Sequence, residues 1–248
     1  MSKGTFDYQD YRNRYAQHVM FYEAGVSKRE KVFGARVAIV GLGAIAIEAA
    51  RLLAIAGVRL LRFIHWEPAD AAAPDSGAQT NAAEYLPQGL GAVQALAEAN
   101  PQLAVEVVDA AQFANFEDLL RDVDLILYDN TDSRRCPLVS QTARRLKKPW
   151  LYAEARGGSG MTVNIIPGET ACIDCVKSQL EVEAPGLNYA PTVTDLIART
   201  ISQVQAVEAL KILGESPSVS REVYCFDVNR FGYTLTVTRN GTCPSCQG

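Results

Sequence analysis

Four cysteines stand in two like-spaced pairs, Cys172-Ile-Asp-Cys175 and Cys243-Pro-Ser-Cys246. Two thiolates at that spacing can grip one soft ion, and a second pair completes a tetrahedron, the pattern of a zinc site. Four protein thiolates leave no open position for a substrate, so zinc here is expected to be structural. Two disulfides compete with that reading in an oxidising compartment, and a redox dithiol needs only one pair. Cys136 and Cys225 are left over, and free cysteine is usually buried packing material.

The second constellation is Val40-Gly41-Leu42-Gly43-Ala44-Ile45-Ala46. An apolar strand from Ala35 precedes it, an apolar helical run to Gly57 follows, and Leu60 to Ile64 makes a second strand ending at His65-Trp66-Glu67. Strand, glycine turn, helix, strand is the opening unit of a nucleotide-binding sheet. Gly41 allows a tight turn, Gly43 has no Cβ to keep a phosphate off the backbone, and Ala46 lets the helix pack on the strand. The helix N-terminus offers N–H groups and a partial positive charge to an anion. His65 and Trp66 at the mouth suit stacking on a heterocycle. A buried strand–helix unit with no ligand accounts for the same residues.

The third is Asp129-Asn130-Thr131-Asp132-Ser133, a polar loop after the apolar run Val123 to Tyr128. Open α/β sheets bind ligands at the carboxyl ends of their strands.

These groups need a scaffold. The first part of the chain reads as alternating strands and helices: a helix over 91–100 stopped by Pro101, a strand at 105–108, a short helix at 116–121, a helix over about 134–146 and a strand at 149–153. Met161 to Ile165 alternates like a half-exposed strand. A long helix over 192–213 stops at Gly214, and strands at 221–226 and 233–238 close the chain. The expected fold is α/β: a mostly parallel Rossmann-like sheet flanked by helices, with a C-terminal antiparallel extension and a four-cysteine zinc site. Residues 1–34 form an N-terminal helical segment, 35–170 the nucleotide-binding core, and 171–248 a crossover, helix, strands and zinc-binding tail of the same domain.

The 248 residues are 48% hydrophobic with net charge −4, so no global basic field draws the chain to nucleic acid or an anionic membrane. No apolar run reaches the ~18–20 residues that span a bilayer. Met1-Ser2-Lys3-Gly4-Thr5 lacks a signal-peptide core, and a cytoplasmic location is expected.

In this order, the elements resemble the ThiF/MoeB/HesA family, bacterial relatives of ubiquitin-activating enzymes. The resemblance rests on Val40-Gly41-Leu42-Gly43, Ala56-Gly57-Val58, Asn100-Pro101, Thr131-Asp132, Arg156 with Thr162-Val163, the two cysteine pairs, and Gln205-Ala206-Val207-Glu208-Ala209-Leu210-Lys211. It implies ATP at the glycine turn, magnesium on Asp132, usually a homodimer, and adenylation of a carboxylate on a ubiquitin-like or sulfur-carrier protein, a peptide or a small molecule. Gly41, Gly43, Ala44, His65, Glu67 and Asp132 are the implied nucleotide positions, and Asp132, Arg156 and Arg14 the implied catalytic ones.

Departures from the family pattern are concentrated in its charges. His65 stands where the ribose acid belongs, and Glu67 is the nearest acid. The segment Ala69 to Gly77 replaces a phosphate-contacting Ser-x-Asn-x-x-Arg and holds no basic residue. Gln88 replaces a lysine, and Gln17 an arginine, with Arg14 about one helical turn earlier. Arg134, Arg135, Arg156 and Lys177 are candidate substitutes. The competing reading is a catalytically degenerate member acting as a binding or scaffold partner, paired with an active relative, or holding a different ligand in the old pocket. A nicotinamide oxidoreductase using Glu67 gives the cysteine pairs no role.

Overall fold

In a computed structural model of the chain, the described residues are 26–66, 91–93, 95–96, 100, 102–180 and 190–247. Arg14, Gln17, Glu67, the 69–77 segment, Gln88 and residues 1–25 of the expected N-terminal helical segment lie outside them.

A helix α1 (Val26–Gly34) leads into β1 (Arg36–Val40), followed by α2 (Ala44–Ala56), β2 (Leu60–His65), β3 (Ala104–Asp109) and β4 (Leu125–Asp129). Then come α3 (Cys136–Arg145), β5 (Trp150–Arg156), β6 (Ser159–Ile165), α4 (Ile173–Gln179), the long α5 (Pro191–Leu213), β7 (Val223–Asp227), β8 (Phe231–Leu235) and α6 (Pro244–Gln247). Residues 91–93 and 95–96 are helical.

The eight strands among the described residues form one sheet in the order β3-β2-β1-β4-β5-β6-β7-β8. The first five in that order pair parallel, and β6, β7 and β8 join antiparallel. The chain reverses its direction of travel across the sheet between β1 and β4, which defines a topological switch point. In register, Val40 lies beside Ile64 on one flank and Tyr128 on the other.

Helix α2 buries Ala46, Ala49, Ala50, Leu53 and Ala54, the i, i+3, i+4, i+7, i+8 stripe of a helix lying on a sheet. It ends where Gly57 takes φ +93° and its N–H donates to the carbonyls of Leu53 and Ala54, a left-handed cap open to glycine. Asn100 is buried and its side-chain amide donates to the Ala54 carbonyl at 3.1 Å, which ties it to the end of α2. Ala209 and Leu213 of α5 join α2 over Val37, Ile39 and Leu127. The opposite face carries α3 and α4, with Val139, Ala143 and Val176 packed on Tyr128, Trp150 and Tyr152.

Met161 to Ile165 departs from the half-exposed expectation: all five residues are buried, because β6 lies between β5 and β7 with α5 across it. A Cβ at Gly160 would come within 2.7 Å of Ile197 Cγ2 and 2.8 Å of Ile201 Cγ1, so α5 crosses β6 at glycine distance. Along α5 the apolar pattern overstates burial, since Leu196 and Val207 face solvent while Ser202 and Gln205 are buried.

Candidate functional site

The glycine turn sits at the switch point. Gly41 takes φ +113°, and a Cβ there would stand 3.0 Å from the Asp129 carbonyl oxygen. A Cβ at Gly43 would collide with Asp129 Oδ2 and lie 2.5 Å from Thr131 Cγ2. Both glycines therefore let the turn close onto the loop that follows β4. Asp129 opens the polar loop marked out in the sequence, and its side chain serves the glycine turn. Its carboxylate turns inward and accepts from the Ala46 N–H at 3.2 Å, so part of the positive end of α2 is occupied by the protein's own acid. Burial pushes the Asp129 carboxyl up to about 7, against the pull of the Ala46 and Gly43 N–H groups. The available sequence signal is an acid ending a continuous apolar strand beside a glycine turn.

Three residues on, Asp132 caps a one-turn 3-10 segment, Ser133–Arg135, by accepting from the Arg134 N–H at 3.1 Å. The Arg134 side chain then takes both carboxylate oxygens, Nε to Oδ1 at 2.8 Å and Nη2 to Oδ2 at 3.1 Å. Arg135 Nε approaches Oδ2 at 3.5 Å. Partial burial opposes ionisation of Asp132, but the two guanidiniums outweigh it and hold the carboxyl below its ordinary range. The Arg135 guanidinium also lies 4.7 Å from the centre of the Trp66 ring, which stacks on Phe116 at 5.5 Å. Trp66 follows β2 and Arg135 follows β4, so their contact reaches across the end of β1.

Behind this rim, hydrogen bonds fix the Asn130–Asp132 loop. The Tyr128 hydroxyl donates to the Asp132 carbonyl at 2.6 Å. Glu154 accepts from the Asn130 amide at 3.0 Å and from the Tyr152 hydroxyl at 2.7 Å. Lys177 lies 5.2 Å from the centre of the Tyr152 ring and 3.8 Å from the Cys136 sulfur. Burial keeps that thiol protonated, raised to about 11 although Lys177 pulls the other way. Cys225 is also buried.

Of the sequence-derived positions, Gly41, Gly43, Ala44 and Asp132 converge at the switch point, with Arg134 and Arg135 beside them. His65 ends β2, half-buried, and its Nδ1 is buried with no hydrogen-bond partner among the described residues. Arg156 ends β5, three residues past Ala153, which is level with Asp129 in the sheet, and it is exposed.

The cysteine pairs meet on the α3–α4 face of the sheet. Cys172 opens α4 and Cys175 lies in its first turn, while Cys243 and Cys246 flank the start of α6. Cys172 and Cys243 sulfurs are 3.6 Å apart, as are those of Cys175 and Cys246, and all four lie within 4.8 Å of one another. Four ligands about 2.3 Å from a common centre stand about 3.8 Å apart in a tetrahedron. The cluster thus has the dimensions of a four-thiolate metal site, and it binds the tail of the chain to α4.

Fold and site together define an α/β protein with a glycine turn packed against a polar loop at its switch point and a four-cysteine cluster near residue 246. A family model described as the ThiF family matches residues 15–246, and the chain belongs to that family. It is 25% identical over 244 residues to the sulfur carrier protein ThiS adenylyltransferase of Bacillus subtilis (strain 168), covering 94% of this chain and 71% of that protein. It is 26% identical over 240 residues to the heterocyst protein HesA of Trichormus variabilis, covering 94% and 88%. The fold also matches crystal structures of E. coli MccB. One superposes with TM-score 0.70 at 17% identity, covering 96% of this chain and 74% of that one, and a structure of MccB with ATP gives 0.67 at 17%, covering 94% and 74%. No helix among the described residues is long and apolar enough to cross a membrane.

Proposed function

We propose that this chain activates a carboxylate by adenylyl transfer from ATP at the β1–β4 switch point. The observation that carries the proposal is the convergence there of the Gly41 turn and the Thr131–Asp132 loop in a chain that matches the ThiF family over residues 15–246. A substrate carboxylate oxygen attacks the α-phosphorus, the acyl–oxygen–phosphorus anhydride forms, and pyrophosphate leaves. Negative charge meets negative charge in that step, so catalysis is mainly positioning and charge neutralisation. Arg134 and Arg135 are the cations this chain places at the rim, and Tyr128, Asn130 and Glu154 hold their loop in place.

The substrate class follows the relatives. One is named a sulfur carrier protein adenylyltransferase, another a ubiquitin-like modifier-activating enzyme, and MccB is crystallised with MccA. A ubiquitin-like or sulfur-carrier protein, or a peptide, is accordingly the proposed acceptor, with the chain working as a homodimer. Zinc is the proposed occupant of Cys172, Cys175, Cys243 and Cys246. Its chemistry is to hold four thiolates together, in a compartment reducing enough to keep them so.

The test is ATP–pyrophosphate exchange in the presence of candidate carboxylates, beginning with small proteins and peptides encoded beside the gene. Exchange that depends on the acceptor supports the reading, and silence with every candidate counts against it. The two ion pairs on Asp132 favour a second reading, in which the chain is a non-catalytic partner of an active relative. That reading expects no heat on titration with ATP and co-purification with the relative.

A further inference from the structure

Asp132 does not fit a magnesium ion as it stands. A hard cation needs carboxylate oxygens with open lone pairs. Here Oδ1 accepts from the Arg134 backbone N–H at 3.1 Å and from Arg134 Nε at 2.8 Å, while Oδ2 accepts from Nη2 at 3.1 Å. This is the parallel fork by which a guanidinium matches a carboxylate, stronger and more directional than a single ion pair. Placing a metal on Asp132 means breaking it.

The second arginine is held differently. Arg135 has its Nε buried, with no hydrogen-bond partner among the described residues, at 3.5 Å from Asp132 Oδ2. Its guanidinium plane is carried by Trp66, which is itself backed by Phe116. Yet the side chain keeps about a third of its surface open, 35%. A cation set on an aromatic ring spans from the end of β4 to the end of β2. It therefore lies over the end of β1, where the glycine turn begins. Arg134 and Arg135 together exceed the charge of the Asp132 carboxylate they contact by one, with Glu154 and Asp129 set behind them.

Resting on the adenylyl-transfer reading, we propose that Arg134 takes the place of the divalent cation at Asp132 and that Arg135, seated on Trp66, is the cation presented to the phosphates, so the crevice binds ATP without magnesium. Arg134 is a positioning residue in this scheme. It neutralises Asp132, which would otherwise repel a triphosphate, and it leaves Arg135 to engage the anion. The arrangement answers the departures in the sequence: two neighbouring arginines on one rigid turn replace cations that the family draws from separate segments.

The experiment is calorimetric titration of the full-length protein with ATP, once in EDTA and once in excess magnesium. The quenching of Trp66 fluorescence is a second readout, assigned by the Trp66→Phe variant. Wild-type affinity is expected to agree within about threefold between the two buffers. Arg135→Gln is expected to weaken binding by about tenfold or more in both, the worth of one charged hydrogen bond. Arg135→Lys, which keeps the charge and guards against a folding defect, is expected to recover part of that loss. Arg134→Gln frees Asp132 and is expected to make binding magnesium-dependent, with at least about a tenfold gain on adding the metal. ATP bound only with magnesium by the wild type, and equally by Arg134→Gln, overturns the clamp while leaving adenylyl transfer standing. Magnesium-independent binding unchanged by Arg135→Gln overturns the role of Arg135. No binding in either buffer removes the clamp and the adenylyl-transfer reading together.

Discussion

Replacing Asp129 with asparagine should change how stability depends on pH, with a sign fixed by the geometry. The Asp129 carboxyl is buried beneath the glycine turn, and burial pushes it from 3.8 up to about 7. Between pH 4 and pH 7 the unfolded chain has released this proton and the folded chain keeps it. Folding then takes up a proton, so stability falls as pH rises through that window and levels off above it. A displacement of about three pH units is worth ~4 kcal/mol at 1.36 kcal/mol per unit. The substituted amide keeps a carbonyl oxygen for the Ala46 N–H and has no proton to exchange.

The assay is urea unfolding of both proteins from pH 4 to pH 8, followed by the fluorescence of buried Trp150, with the variant's free energy subtracted from the wild type's at each pH. Contributions common to both proteins, including those of Asp132 and the cysteine cluster, cancel in the difference. The difference is expected to fall by several kcal/mol across the window, so that Asp129→Asn gains on the wild type as pH rises. A difference that stays level within about 0.5 kcal/mol, or that rises, refutes the placement of Asp129 in a site hostile to charge.

Gly43→Ala forces its new methyl group onto Asp129 and Thr131 and should cost roughly 1–3 kcal/mol, read as a lower urea midpoint with an unchanged slope. Leu53→Ala, at a fully buried position of α2, should cost about 2–5 kcal/mol in the same measurement. Purified protein should carry one equivalent of metal by elemental analysis. Cys172→Ser, or prolonged chelation, should release it and lower the melting midpoint by roughly 6–12 °C, the equivalent of about 3 kcal/mol in a chain this long. A metal-free wild type with the same melting point contradicts that assignment.

The parallel half of the fold can be read from the sequence because its signals are local. Apolar runs, the Gly41–Gly43 turn and the Gly57 stop each act over a few residues, and β1, α2 and β2 lie where those signals put them. The cysteine cluster is legible for a different reason: thiolates at C-x-x-C spacing have few other uses, and two pairs imply one centre even though Cys172 and Cys243 are 71 positions apart. Arg134, Arg135 and Lys177 are recognisable as candidate cations, but their partners are not. Whether Arg134 faces Asp132 or solvent depends on the 3-10 turn that brings it back onto that carboxylate. Asp129 stands out in the sequence as the start of a polar loop at a strand end, but its pairing with N–H groups of a helix 83 residues away leaves no local trace. Burial departs from the apolar pattern where tertiary cover decides it, in β6 and along α5.

On the proposed scheme ATP sits at the switch point with arginine, not metal, against its phosphates. A crystal structure of the protein grown with ATP and magnesium measures this directly. The triphosphate is expected between the Gly41 turn and Arg135, with the Arg134 fork still closed on Asp132. Nucleotide bound elsewhere, or a magnesium ion on Asp132 with Arg134 displaced, would contradict it.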